Sequence, residues 1–180
     1  IIPLVEKLEL SSKVKQILIT TTTLSSSKIF ETLKLKKTVH QFFPIDNFLI
    51  IEKFLNYWEP SILFLCESEI WPNLINKVKH KKIKLILLNA RMTLRSFEKW
   101  KKIKNFSNEI FNKFDKCFSQ NNETFKRLKM LGVEKIYNIG NLKFSTSKNV
   151  KNEFLDKKTS DFLKNKKILI TGASTHFNEE

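Results

Sequence analysis

Residues 63–73 read Leu63-Phe64-Leu65-Cys66-Glu67-Ser68-Glu69-Ile70-Trp71-Pro72-Asn73. A short apolar run, Ile62 to Leu65, ends at two carboxylates, and a helical pattern through Leu74, Ile75 and Val78 follows. Short apolar runs closed by turn signals read as buried strands. Pro72 suits a first helical turn, where its missing N–H would have had no partner. The stretch is therefore strand, loop, helix. It sets Glu67 and Glu69 at the carboxyl end of the strand, where open α/β sheets keep their ligand crevices. Acids there also favour a helix N-terminus through its dipole, and the stretch alone leaves both readings open.

The same alternation extends in both directions. Upstream, residues 1–10 read as an amphipathic helix and Gln16 to Thr20 as a strand. The hydroxyl run Thr21 to Ser27 can cap a helix from Lys28 to Leu35. Thr38 to Phe43 is a second strand, and Asp46 is expected to cap a helix burying Phe48, Leu49, Ile51, Phe54 and Leu55. Downstream, Lys84 to Leu88 is a strand running into a loop, residues 89–96, that holds Arg91 and Arg95. Arginine suits bidentate recognition of carboxylate or phosphate, although a solvated arginine is the simpler reading of Arg95. Apolar residues from Phe97 to Phe114 recur at helical spacing, as core. A strand over 115–119, a helix over 122–131 stopped by Gly132 and a strand from Lys135 to Ile139 lead to Gly140-Asn141-Leu142-Lys143-Phe144.

Strands alternating with helices predict an α/β fold, a Rossmann-like doubly wound parallel sheet. This domain is expected over 1–146. From Ser147 the composition shifts to Lys, Asn, Asp and Ser, a connector over 147–166. Residues 167–180 read as the first strand and turn of a second Rossmann-like unit, ending in Gly172-Ala173-Ser174-Thr175-His176. Amides at such a helix start favour phosphate. A helical pattern already under way at Ile2 and a fresh strand near Glu180 suggest an internal piece of a longer protein.

The chain of 180 residues carries a formal charge of +15, almost all from lysine. Such a field favours polyanionic partners, whether nucleic acid, anionic membrane or phosphorylated substrate; compositional drift toward lysine accounts for part of it. Cys66 and Cys117 fall in apolar runs without metal-ligand spacing, as buried thiols of a reducing compartment do. No apolar run reaches the length of a membrane span.

Taken in order, Thr20 to Thr23, His40 with Pro44 and Asp46, Glu67-Ser68-Glu69-Ile70-Trp71-Pro72-Asn73, Asn89-Ala90-Arg91, Arg95-Ser96, Gly140-Asn141-Leu142-Lys143-Phe144 and Ser174-Thr175-His176 form one ordered set. The set resembles the 3-deoxy-D-manno-oct-2-ulosonic acid (Kdo) transferases of Gram-negative bacteria. The chain departs from that pattern at Leu24, Ser26, Ser145 and Asn178. The resemblance implies the N-terminal half of a two-domain GT-B glycosyltransferase that moves Kdo from CMP-Kdo to the lipid A precursor (lipid IVA). It implies acceptor contacts from Glu67, Glu69, Asn89, Arg91, Asn141 and Lys143, and donor contacts from Ser174, Thr175 and His176. The general base, a glutamate, and an anchoring helix would lie ahead of Ile1, so this stretch alone would be inactive. No metal or cofactor is implied. The expected partners are the lipid A precursor, CMP-Kdo and an anionic membrane surface, at the cytoplasmic face of the inner membrane. Two other readings compete: a basic nucleic-acid-binding α/β module, disfavoured by phenylalanines at core spacing, and another GT-B nucleotide-sugar transferase.

Overall fold

The computed structural model describes residues 2–33 and 35–142. The chain divides into two units, 1–146 and 147–180, and every described residue belongs to the first. Lys143, the connector over 147–166, and Ser174, Thr175 and His176 lie outside the described residues.

Helix α1 (Ile2–Glu9) leads to β1 (Ile17–Thr21), α2 (Leu24–Thr32), β2 (Thr38–Phe42), α3 (Phe48–Trp58) and β3 (Ile62–Cys66). Then come α4 (Pro72–His80), β4 (Lys84–Ala90), α5 (Leu94–Lys102), α6 (Lys104–Phe111), β5 (Lys116–Ser119), α7 (Asn122–Met130) and β6 (Ile136–Asn138). Every strand pairing is parallel, so the fold is the expected Rossmann-like α/β arrangement. The strands fall into two sheets, β1-β2 and β3-β4-β5-β6.

The core lies on the four-stranded sheet. Leu85 and Leu87 of β4, Cys117 of β5, Leu74, Ile75 and Val78 of α4, and Ile110 and Phe111 of α6 are all essentially solvent-free. A strand covered on both faces by helices needs this near-continuous apolar character.

Several local expectations are corrected. Helix α2 starts four residues earlier than the pattern suggested, because Thr23 accepts the Ser26 amide and the serines fill the first turn. Asn47, not Asp46, caps α3, accepting from the amides of Leu49 and Ile50. The buried face of α3 is Ile51 and Leu55, while Phe48 and Leu49 are exposed. Leu49 stands two residues from Ile51, which on a helix is the opposite side. Phe48 sits at the rim under the Lys77 ammonium, 3.3 Å from its ring centroid, and Lys77 also pairs with Glu52 at 2.9 Å. The run from Phe97 to Phe114 is two helices broken at Ile103, leaving Ile103 and Phe106 exposed. The buried Ser107 hydroxyl lies 2.6 Å from the Trp100 carbonyl and 2.8 Å from that of Ile103, meeting acceptors freed by the break.

Candidate active site

The carboxyl ends of β3 and β4 bring the first candidate residues together. Glu67 follows β3 with φ 58°, a left-handed conformation that a non-glycine residue adopts at a cost of roughly 1–2 kcal/mol. Its amide donates to the Leu88 carbonyl at 2.9 Å, and its carbonyl accepts the Arg91 amide at 3.1 Å. The Glu69 amide closes the turn onto the Cys66 carbonyl at 3.1 Å. Ser68 Oγ donates to the Arg91 carbonyl at 3.0 Å. The acidic loop and the arginine loop are thus tied backbone to backbone.

Asn89 is not in a loop, as its sequence context suggested. Strand β4 runs on to Ala90, and its register against β5 shifts between Leu87 and Ala90. Asn89 sits at that bulge with φ 49° and is only 4% exposed. Bulges of this kind re-aim a side chain, and asparagine tolerates the left-handed region better than most residues. Its Nδ2 points at Glu67 Oε1 at 3.5 Å, and its Oδ1 accepts the Leu142 amide at 3.1 Å. One carboxamide therefore bridges the β3 tip to the chain beside Asn141, a half-buried residue.

Each residue of the Trp-Pro-Asn segment has a local task. Trp71 Nε1 donates to Glu69 Oε2 at 2.8 Å, which orients that carboxylate. Pro72 opens α4, and Trp71 supplies no side-chain cap. The cap comes from Asp46, whose Oδ2 and Oδ1 accept the amides of Asn73 and Leu74 at 3.1 and 2.9 Å. Asn73 Nδ2 returns a bond to the Asp46 carbonyl. The Phe43 and Trp71 rings pack at 5.1 Å between centroids, giving the same junction an apolar contact.

Arg91 is exposed, and among the described residues its guanidinium has no hydrogen-bond or ion-pair partner. Its neighbour Met92 is pinned on both sides by α7. Thr124 Oγ1 accepts the Met92 amide at 3.2 Å, and Arg127 Nη1 donates to its carbonyl at 2.7 Å. A recess of about 340 Å³ opens there, lined by Arg91, Thr93, Gln120, Asn121 and Arg127 among others. Glu67, Glu69, Asn89 and Arg91 therefore share one end of the sheet, with Asn141 reaching it through the Leu142–Asn89 bond.

Sequence reasoning missed Asp46 as a partner of α4, and Thr124 and Arg127 as supports for the arginine loop. Each acts on a residue 27 or more positions away, which no local pattern reveals. Thr21 Oγ1, at the carboxyl end of β1, and His40 Nε2, in the middle of β2, lie 2.9 Å apart. Burial raises the Cys66 thiol to about 11 and the Cys117 thiol to about 12, so both are held protonated and unreactive at neutral pH.

Residues 1–146 match the family model described as 3-deoxy-D-manno-octulosonic-acid transferase (kdotransferase). The 3-deoxy-D-manno-octulosonic acid transferase of Rickettsia bellii is 40% identical over 163 residues, 91% of this chain and 38% of that protein. The Haemophilus influenzae protein of the same name is 30% identical over 182 residues, 99% of this chain and 42% of its own length. A probable mitochondrial 3-deoxy-D-manno-octulosonic acid transferase of Arabidopsis thaliana is 43% identical over 84 residues, 47% of this chain and 19% of that protein. The chain thus spans less than half the length of these relatives. With the sheet-end cluster assembled by Glu67, Asn89 and their neighbours, and with the match covering all of the described residues, the chain belongs to the 3-deoxy-D-manno-octulosonic acid (Kdo) transferase family.

Proposed function

We propose that the whole protein is a glycosyltransferase of lipopolysaccharide core assembly, transferring Kdo from CMP-Kdo to the lipid A precursor at the cytoplasmic face of the bacterial inner membrane. The observation that carries this reading is the strained pair Glu67 and Asn89, side by side at one sheet end, with the Glu67 carbonyl tied to the amide of the exposed Arg91. Left-handed backbone in two non-glycine residues at adjoining strand ends is held there by its surroundings, and such strain clusters at functional sites.

In the proposed reaction a glucosamine hydroxyl attacks the anomeric carbon of Kdo, the bond to the CMP phosphate breaks, and CMP leaves. The hydroxyl proton passes to a base; that glutamate is expected on a segment ahead of Ile1. This chain supplies the acceptor side. Arg91 and Lys143 hold anionic groups of the acceptor, while Glu67, Glu69, Asn89 and Asn141 orient sugar hydroxyls and the cations. Glu69 is suited to orienting, because the Trp71 indole already fixes one of its oxygens. Ser174, Thr175 and His176 are assigned to the phosphate or carboxylate of the donor. The protein itself brings no metal or cofactor in this scheme. Among the described residues no helix is long and apolar enough to cross a membrane, so the described part would meet the lipid from its surface.

The test is a transfer assay with the full-length protein, CMP-Kdo and lipid IVA. A charge-assisted hydrogen bond contributes about 1.5–3 kcal/mol. Arg91→Ala should therefore raise the KM for the acceptor by roughly ten- to a hundredfold and leave the KM for CMP-Kdo unchanged. No transfer by the parent protein, or an unaltered acceptor KM in the variant, would refute the reading.

A further inference from the structure

We infer that Thr124 and Arg127 of α7 are positioning residues for Arg91: they grip the chain on either side of Met92 and so fix where the Arg91 guanidinium stands at the sheet end. The inference rests on the proposed acceptor role of Arg91 and deepens it, by naming what holds that side chain in place.

The backbone around Arg91 supplies the first support. Peptide units are planar, so a residue's backbone is fixed when the plane before it and the plane after it are both held. In the plane joining Ala90 to Arg91, the Ala90 carbonyl accepts the Gln120 amide at 3.1 Å, and the Arg91 amide donates to the Glu67 carbonyl at 3.1 Å. In the plane joining Arg91 to Met92, the Arg91 carbonyl accepts from Ser68 Oγ at 3.0 Å, and the Met92 amide donates to Thr124 Oγ1 at 3.2 Å. In the plane after Met92, the carbonyl accepts from Arg127 Nη1 at 2.7 Å. This short link lies between β4 and α5. Its ties come from two directions, the acidic loop after β3 on one side and the end of β5 with α7 on the other.

Burial separates the anchor from the tip. Met92 is 4% exposed and Thr124 2%, while Arg91 between the held planes is exposed. A buried amide and a buried hydroxyl both need a partner, and here each serves the other. Thr124 is itself placed by the start of α7, where its amide donates to Asn121 Oδ1 at 2.8 Å. Removing the hydroxyl strands the Met92 amide in the core and leaves the plane after Arg91 held on the Ser68 side alone.

Arg127 suits its task by shape. Its Nη2 lies 3.4 Å from Glu123 Oε2, one turn back on α7, while Nη1 reaches the Met92 carbonyl. One planar guanidinium serves two acceptors in fixed directions, which a lysine ammonium does not. The Glu123 side chain is largely exposed, so it aims the fork more than it binds it. The Arg127 guanidinium is thereby engaged by Met92 and Glu123. That of Arg91 has no hydrogen-bond or ion-pair partner among the described residues and stands on a rigid stem. Both arginines line the same recess of about 340 Å³. A donor whose backbone is already fixed loses less freedom when an anion arrives, and so binds it more tightly.

Acceptor KM and amide hydrogen exchange in the full-length protein test this together, with CMP-Kdo and lipid IVA as substrates. Arg127→Gln and Thr124→Val should each raise the acceptor KM about fivefold or more and leave the KM for CMP-Kdo unchanged. Thr124→Ser, which keeps the hydroxyl, should lose least. In the Arg91→Ala background the same substitutions should add nothing to the acceptor KM, because the group they position is gone. The Met92 amide should exchange about tenfold or more faster in Arg127→Gln, while Val78 in α4 keeps its protection. Full effects in the Arg91→Ala background mean that Thr124 and Arg127 touch the acceptor themselves or act through the fold at large, and overturn the inference. Unchanged exchange at Met92 overturns it as well. Should Thr124→Val fail to fold, Arg127→Gln, whose side chain is 22% exposed, decides alone. An unaltered acceptor KM in Arg91→Ala itself sinks the proposed function and this inference with it; additive effects beside an altered KM sink the inference only.

Discussion

Asp46 lies just before α3, yet its carboxylate accepts two amides at the start of α4 while Asn73 Nδ2 donates to its carbonyl. That reciprocal contact holds the β2–α3 connection against the helix that follows Glu67 and Glu69. Removing it strands two helix N-terminal donors, and loss of such a cap costs about 0.5–2 kcal/mol. Asp46→Ala should lower the unfolding free energy by an amount in that range, read as a lower urea midpoint with an unchanged m-value. Asp46→Asn keeps an acceptor and should lose less. Combining Asp46→Ala with Asn73→Ala should cost less than the sum of the two, because both remove parts of one contact. An unshifted midpoint in Asp46→Ala would mean that water replaces the carboxylate at no loss. The same scale explains why the acidic motif reads so clearly. Glu67, Glu69, Trp71 and Pro72 each meet a need within a few residues or at the adjoining strand, so their order is dictated by one turn and one helix start, whereas Asn73 answers to Asp46, 27 positions away.

Among the elements, the alternation of strand and helix was legible because strands such as β3 and β4 are short, largely apolar runs and the helices between them carry a period. What escaped depends on groups distant in sequence. The exposure of Phe48 rests on Lys77, the break at Ile103 on Ser107, and the bulge at Asn89 on the register of β5. The division into two sheets could not be read at all, since pairing partners leave no local mark. Asp115 is a further case, visible only in three dimensions. Its backbone and side chain grip Leu85 of β4, with the Leu85 amide 2.7 Å from Oδ2, and Lys79 of α4 lies 2.9 Å from Oδ1. Partial burial pushes this carboxyl up, but the Leu85 amide and the Lys79 ammonium outweigh it and hold the group below its ordinary 3.8. A carboxyl depressed in the folded state adds stability that is fully present above the unfolded value and is lost as pH falls through the folded one. Stability should therefore decline as pH drops below about 4, and Asp115→Asn should flatten part of that decline. The side chain is 41% exposed, so solvent screening limits the ion pair itself to at most about 1 kcal/mol. Denaturation midpoints measured against pH would check this, and an identical acid limb in the variant would remove Asp115 from the account.

At the scale of the whole molecule the dominant feature is charge: 33 basic against 18 acidic side chains, giving +15. Only four ion pairs occur among the described residues, so most lysines there face solvent without a carboxylate close by. The exposed phenylalanines Phe42, Phe48, Phe64 and Phe106 sit on four different elements, and no two of them stack on each other, whereas single-stranded nucleic acid binds on exposed aromatic stacking sets. A diffuse positive surface without such a platform fits an anionic lipid face better. Each lysine close to such a surface contributes about 1 kcal/mol, and the attraction decays within a Debye length. The chain should therefore sediment with vesicles containing phosphatidylglycerol at low salt and stay in solution with purely phosphatidylcholine vesicles. Raising the salt from about 0.01 M to about 1 M shortens the Debye length from roughly 30 Å to roughly 3 Å, and should release it. Retention on anionic vesicles at high salt, or equal binding to both kinds, would mean that the exposed apolar residues of α3, Phe48, Leu49 and Tyr57, govern the contact instead of the lysines.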